Sequence, residues 1–225
     1  MRWNVRSCSR WTLYVIVDRA SAGPRALDEL AAAAIRGGAD ALQLRDKAAS
    51  ARRLLDEARV LVALTRNARI PLIVNDRADV AAAAGADGVH LGQDDLPIPE
   101  ARRLLGPGRL IGQSTHSLEQ AVAAQAQGAD YIGLGPIFPT PTKPEYGGIG
   151  TGLIGPVASR VRVPVVCIGG IERGTVEQVV EAGARRIAVV RAVCAATDPE
   201  AAARDLKAVL MRHREISSRT FHPSI

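Results

Sequence analysis

Gly38-Ala39-Asp40-Ala41-Leu42-Gln43-Leu44 is the stretch on which the fold turns, because the chain returns to it. It comes back as Gly85-Ala86-Asp87-Gly88-Val89-His90-Leu91 and as Gly128-Ala129-Asp130-Tyr131-Ile132-Gly133-Leu134. A weakened copy is Gly183-Ala184-Arg185-Arg186-Ile187-Ala188-Val189. Each copy follows an Ala-rich stretch of helical character and leads into a short alternating run. The glycine suits a helix end, where a left-handed backbone carries no Cβ penalty. The run after it has the period and length of a buried strand.

Other apolar runs fall between the copies: Leu13-Tyr14-Val15-Ile16-Val17, Pro71-Leu72-Ile73-Val74, Arg109-Leu110-Ile111-Gly112 and Val163-Pro164-Val165-Val166-Cys167-Ile168. Together they predict eight strands, with the repeat marking every second one. Helices are expected over about 25–37, 50–67, 77–84, 97–105, 117–127, 152–160, 174–182 and 198–212. Regular strand–helix alternation argues for a parallel sheet, and eight units argue for closure into a (β/α)₈ TIM barrel. An open doubly wound sheet is the alternative, weakened by the lack of a G-x-G-x-x-G first turn. No linker divides the chain, so residues 1–225 read as one domain, with the barrel over about 11–211 and a frayed tail over 212–225. The longest interruption, Pro136 to Thr151, follows the sixth strand, and a loop of that length in so economical a chain points to function.

The 225 residues are 47% hydrophobic and only 3% aromatic, so the core is expected to be mainly Ala, Val, Leu and Ile. The net charge of +6 admits nucleic acid as a partner. The basic residues are dispersed, however, and few aromatics are available for stacking, which favours small anionic substrates over nucleic acid. Three distant cysteines form neither a zinc motif nor a disulfide framework. The short apolar run ending at Asp18 reads as a first strand, not as a signal peptide. No stretch approaches the roughly 18 apolar residues of a membrane span. No membrane association is therefore expected, and the cytoplasm is the expected compartment. A homo-oligomer is compatible with the sequence and is not specified by it.

Barrel chemistry sits where strands end and βα loops begin. Those junctions carry Gln43, Arg45, Asp46 and Lys47; Asn75 and Asp76; His90, Gln93, Asp94 and Asp95; Ser114, Thr115 and His116; Thr140, Thr142 and Lys143; Gly169-Gly170; and Val190-Arg191. Arg45, Lys47 and Lys143 converge from different loops on one mouth, as a multiply charged anion requires. Asp76 and Asp95 are hard oxygen ligands on adjacent loops and suggest Mg²⁺ bridging protein to a diphosphate. Gly169-Gly170, with the end of strand eight, has the form of a barrel phosphate cup. Simpler readings stand beside these. Asp46, Asp79 and Asp94 suit caps or solvated carboxylates, and Asp76 is as readily an N-cap. His90 suits a packed barrel histidine, and His116 is either a cap or a proton carrier.

At these positions the chain resembles the thiamine phosphate synthase family. The matching stretches are Q-L-R-D-K (43–47), V-N-D-R-A-D-V (74–80), A-D-G-V-H-L-G-Q-D-D-L (86–96), G-Q-S-T-H-S (112–117), D-Y-I-G-L-G-P-I-F-P-T-P-T-K (130–143) and I-G-G-I (168–171), in the family's order over about residues 12–210. The resemblance implies that Gln43, Leu44, Arg45, Asp46 and Lys47, with Asn75 and Lys143, hold a hydroxymethylpyrimidine diphosphate. It implies that Asp76 and Asp95 are magnesium ligands and that Ser114 contacts the pyrimidine end near the breaking bond. Thr140, Pro141 and Thr142 match the loop that holds a thiazole phosphate, and Gly170, Val190 and Arg191 match its phosphate cup. Arg191 is a departure, since some members carry Ser there. The implied reaction is a dissociative alkyl transfer that forms thiamine phosphate and releases diphosphate. Magnesium, Arg45, Lys47 and Lys143 would serve the departing group, with Ser114 near the breaking bond, and no nucleophile is required. The rivals are a thiazole tautomerase using His116 and a non-catalytic sensor of phosphorylated ligands.

Overall fold

The computed structural model describes residues 8–141 and 147–219. The repeat glycines take the backbone that a helix end demands, with φ of 96° at Gly38, 69° at Gly85, 94° at Gly128 and 101° at Gly183. The alanine after each donates its N–H five residues back: Ala39 to Ala34, Ala86 to Ala81, Ala129 to Ala124 and Ala184 to Val179. This is the hydrogen bond of a Schellman cap. It turns the chain from each helix directly into the following strand.

The strands are β1 (Leu13–Asp18), β2 (Ala41–Arg45), β3 (Leu72–Asn75), β4 (Gly88–Leu91), β5 (Leu110–Thr115), β6 (Tyr131–Leu134), β7 (Val165–Ile168) and β8 (Ile187–Val189). All neighbours pair in parallel, and β8 pairs with β1. The barrel is therefore closed and the open doubly wound alternative is excluded. The helices are α1 (Leu27–Arg36), α2 (Ala51–Ala68), α3 (Ala78–Ala84), α4 (Ile98–Leu105), α5 (Leu118–Ala126), α6 (Ile154–Arg160), α7 (Val176–Glu181), α8 (Arg191–Cys194) and α9 (Pro199–Arg219). Ser50 and Ser117 start α2 and α5 as N-caps, accepting from the N–H groups of Arg53 and Gln120.

Two expectations need correction. The short helix α8 has no periodic signal and was not foreseen. The tail expected to fray over 212–225 is helical through Arg219, and residues 220–225 lie outside the described residues. Arg, Glu and His prolong a helix adequately without an apolar face, and Arg212 pairs with Glu177 of α7.

The repeat aspartates have a structural task at the barrel's base. Asp40 accepts the N–H groups of Thr12 and Leu13, Asp87 that of Leu72, and Asp130 that of Ile111. Each carboxylate thus clamps the start of the preceding strand. The fourth copy has Arg185 in place of the aspartate.

Strand alternation sorts the core into two layers. Leu13, Val15, Val17, Leu42, Leu44, Leu72, Val74, Val89 and Leu91 belong to a large aliphatic cluster shared with the helices. Tyr14, Ile16, Ala41, Ile73, Leu110, Tyr131, Val166 and Ala188 form a second cluster of opposite phase, which fills the barrel's interior. The aliphatic expectation holds for the outer layer. The inner one is plugged by aromatics, with the Trp11 ring 5.5 Å from Tyr14 and 5.3 Å from Tyr131.

Candidate active site

The interior phase that carries Tyr14, Ile73 and Tyr131 low in the barrel turns polar at the C-terminal ends of the strands. Residues of that phase open onto a cavity of about 250 Å³ lined by Gln43, Arg45, Asn75, His90, Ser114, Gly170, Val190 and Arg191, among others. Thr140 and Pro141 close one side of it, and His116 another. Residues read from seven separate strand ends therefore meet at one mouth. Thr142 and Lys143 lie outside the described residues.

Of the Gln43–Lys47 set, only Gln43 and Arg45 line this cavity, and Lys47 stands outside it against Asp76. Leu44 is fully buried in the outer aliphatic layer. Strand alternation sends it toward the helices when Gln43 and Arg45 face inward. Asp46 takes the simpler of its readings, accepting the N–H groups of Ala48 and Ala49 at 3.0 Å each in a local turn.

Arg45 is held from below by Asp18, at 2.7 Å from Nη1 to Oδ1. Asp18 is 1% exposed and its other oxygen accepts from Ser21. Sequence reasoning passed over Asp18 as the end of a strand. Its signal was parity, since it stands two residues beyond Ile16 and four beyond Tyr14 on the inward phase. Arg191 lines the cavity, so the departure at that position brings a cation to the mouth. Gly169 and Gly170, with φ of 98° and 63°, let the segment after β6 pass close by. A Cβ on Gly169 would sit 2.4 Å from Pro136 Cα, and one on Gly170 would sit 2.6 Å from Phe138 Cβ. Packing thus accounts for part of what the Gly-Gly pair signals.

Asp76 and Asp95 stand together on the rim beside Asn75. Asp76 is not a helix cap. Its φ is 60°, its N–H goes to the carbonyl of His90, and the residue at the N-cap of α3 is Arg77. Burial, then the hydrogen bond and charge of Asp95, raise the Asp76 carboxyl above the ordinary range, with Lys47 opposing. Lys47 Nζ lies 3.4 Å from Asp76 Oδ2. The loop carrying Asp95 is tied down at both faces. Gly92 donates to Asp95 Oδ2 at 2.5 Å, and Gln113 Nε2 donates to the Gly92 carbonyl at 2.7 Å. Among the described residues no group of three or more His, Cys, Asp or Glu side chains could cage a metal. Two neighbouring carboxylates could hold magnesium only where substrate oxygens and water complete its shell.

His90 is packed against Tyr131, as the simpler reading has it, and also borders the cavity. Its Nδ1 lies 3.1 Å from the Tyr131 hydroxyl and its Nε2 3.0 Å from Ser114 Oγ. His116 also lines the cavity. Its backbone N–H donates to Gln120 Oε1, so it stands just before the Ser117 cap instead of being the cap itself. Burial pushes the Cys8 and Cys167 thiols up to about 12 and Cys194 up to about 11, so the cysteines stay protonated at neutral pH. No thiolate nucleophile is on offer.

Among the described residues no helix is long and apolar enough to cross a membrane. A family model described as thiamine monophosphate synthase matches residues 13–193. The chain is 49% identical over 199 residues to a thiamine-phosphate synthase of Roseiflexus sp. (strain RS-1), covering 88% of this chain and 84% of that one. It is 49% identical over 201 residues to that of Chloroflexus aurantiacus, covering 89% and 93%. Among solved structures, a thiamine phosphate pyrophosphorylase from Pyrococcus furiosus superposes with a TM-score of 0.85 at 38% identity, covering 93% of this chain and 99% of that one.

Proposed function

Because this chain belongs to the thiamine monophosphate synthase family and is a transferase of thiamine phosphate synthesis, we propose that its barrel mouth carries out the condensation with the residues assembled there. The substrates are 4-amino-2-methyl-5-hydroxymethylpyrimidine diphosphate and a 4-methyl-5-(2-phosphoethyl)thiazole, carboxylated or not. The carbon–oxygen bond to the diphosphate breaks first, leaving a pyrimidinylmethyl cation that the electron-rich ring stabilises. The thiazole nitrogen then donates its electron pair to that carbon, and diphosphate departs as the second product; a carboxylated thiazole also releases its carboxyl group as carbon dioxide, with the bonding pair and a proton from water left on the ring carbon before the thiazolium is complete.

Supporting this reading above all is the rim cluster of Asp76, Asp95 and Lys47 beside a cavity that holds Gln43, Arg45, Asn75 and Ser114. Arg45 and Lys47, with Lys143 from the sequence motif, neutralise charge that builds on the departing group. Asp18 keeps the Arg45 guanidinium in place for that task. Asp76 and Asp95 would hold magnesium, which supplies further positive charge to the diphosphate oxygens when bound. Thr140 and Pro141, with Thr142, position the thiazole, while Gly170, Val190 and Arg191 receive its phosphate. The alternatives are less well supported, since a tautomerase acting on one thiazole phosphate has no use for the paired carboxylates. The proposal places this chemistry in the cytoplasm, in keeping with three free cysteines.

The direct test is incubation of pure protein with both phosphorylated precursors, with and without magnesium. Thiamine phosphate and diphosphate should appear in equal amounts and only with the metal. Isomerisation of the thiazole phosphate without diphosphate release would overturn the reading.

A further inference from the structure

Under the cavity runs a chain of hydrogen bonds that charge neutralisation does not require. Gln43 Nε2 donates to the Tyr14 hydroxyl at 2.8 Å, and that hydroxyl lies 3.1 Å from the hydroxyl of Tyr131. Tyr131 continues to His90 Nδ1 at 3.1 Å, and His90 Nε2 reaches Ser114 Oγ at 3.0 Å. The two ends, Gln43 and Ser114, line the cavity. The two tyrosines between them are 2% and 0% exposed, so water is not an alternative partner. Burial also raises both phenols above their ordinary range and keeps their protons in place.

Each hydroxyl has a single hydrogen to give, so the chain can run in only one direction at a time. With the Gln43 amide donating, the Tyr14 hydrogen goes to Tyr131 and the Tyr131 hydrogen goes to His90 Nδ1. The imidazole hydrogen then sits on Nε2 and is given to Ser114 Oγ. Ser114 has its lone pair occupied and turns its own hydrogen into the cavity. A flipped amide reverses every step, places the imidazole hydrogen on Nδ1, and turns the Ser114 hydrogen away from the ligand. The geometry points to the first direction: Tyr14 and Tyr131 are positioning residues that hold His90 as its Nε2–H tautomer and so make Ser114 a hydrogen-bond donor to an acceptor atom of the substrate. This deepens the function proposed above and rests on it for the identity of the ligand.

The backbone is cut to fit the joint. A Cβ on Gly112 would lie 2.2 Å from Tyr131 Cζ and 2.5 Å from His90 Nδ1, so only glycine lets the phenol and imidazole meet. Gly133 passes the other side of the ring, where a Cβ would stand 3.2 Å from His90 Cε1.

The test is ¹⁵N NMR of the ligand-free, histidine-labelled protein at mildly alkaline pH, with the His90 signals assigned by their loss in His90→Gln. The wild type should show hydrogen on Nε2 and none on Nδ1. Gln43→Glu replaces the donating amide with a carboxylate that only accepts, and it should move the hydrogen to Nδ1 through two intervening tyrosines. Adding Tyr131→Phe should abolish that reversal, because the link is cut while the ring packing stays. Hydrogen on Nδ1 in the wild type, or no reversal in Gln43→Glu, overturns the proposal. On the functional side, Tyr131→Phe should lower turnover about tenfold, while inorganic diphosphate with magnesium binds as it does to wild type. Unchanged turnover would refute the link to Ser114. Since the tautomer is read without ligand, it stands or falls apart from the assignment of the reaction.

Discussion

Arg45 and Asp18 show how one residue's placement serves both stability and chemistry. Their side chains are 13% and 2% exposed, so removing either partner strands a charge in the barrel. Arg45→Ala should cost about 3 kcal/mol in urea denaturation, in the range for breaking a buried pair. Adding Asp18→Asn should restore most of that loss without restoring turnover. Asp76 carries the opposite sign. Its raised carboxyl means that the folded, metal-free protein holds that proton to higher pH than the unfolded chain does. Stability contributed by the site therefore falls as pH rises through and above the ordinary carboxylate range. Asp76→Asn should raise the melting temperature of metal-free protein at neutral pH by on the order of 2–4 °C, with the gain vanishing in acid. A lower melting temperature at neutral pH would contradict the repulsion assigned to the Asp76–Asp95 pair. Asp76 and Asp95 could be picked from the sequence because they fall on adjacent βα loops beside a set of basic residues. Asp18, Tyr14 and Tyr131 could not, because their roles depend on which way a strand faces.

At the scale of elements, the Gly-Ala-Asp phrase encodes a helix stop, a turn and a clamp in three residues. The first two were legible, since a glycine after an Ala-rich helix has few other reasons to recur. The clamp was not, because the carboxylate bonds a strand far away in sequence, with Asp40 reaching back to Thr12 and Leu13. The three clamps are not equal. Asp40 also accepts from the Thr12 hydroxyl and from Lys207, Asp130 also accepts from Arg102, and among the described residues the Asp87 carboxylate accepts only the Leu72 N–H. Burial raises the Asp87 carboxyl despite that N–H and two nearby arginines, so its charge is held at a cost. Alanine substitution should destabilise in the order Asp40, Asp130, Asp87, by about 3, 2 and 1 kcal/mol, on the scale of hydrogen bonds to charged groups. Denaturant titration of the three variants checks the order. The unforeseen helical tail has the complementary cause: α9 continues on helix propensity and charged contacts such as Arg212–Glu177, neither of which leaves a hydrophobic period to read.

Across the whole molecule, stability and chemistry are assigned to opposite ends of the barrel. The clamps sit where strands begin, and the cavity with the neighbouring Asp76–Asp95 pair sits where they end, as parallel strands require when every βα loop emerges on one face. This separation is why many of the cavity-lining residues could be named from the sequence: once eight strands are placed, their C-terminal junctions define a mouth, and Gln43, Arg45, Asn75, Ser114, Gly170, Val190 and Arg191 all line it. What stayed hidden was the interior beneath the mouth, where glycines and aromatics interlock across strands that are distant in the chain. The same separation makes binding and stability independently measurable. Diphosphate with magnesium, each in excess so that the complex is present at about a hundred times its dissociation constant, should stabilise the fold by about 2.7 kcal/mol, a rise in melting temperature of about 5–10 °C for a chain of this size. Asp76→Asn and Asp95→Asn should lose that rise while starting from a melting temperature no lower than wild type. Asp40→Ala should start lower and keep the rise in full, because its carboxylate serves the far end of the barrel. A ligand shift that fails in Asp40→Ala would show that the two ends are not independent, and one that survives in both rim variants would refute the metal role proposed for Asp76 and Asp95.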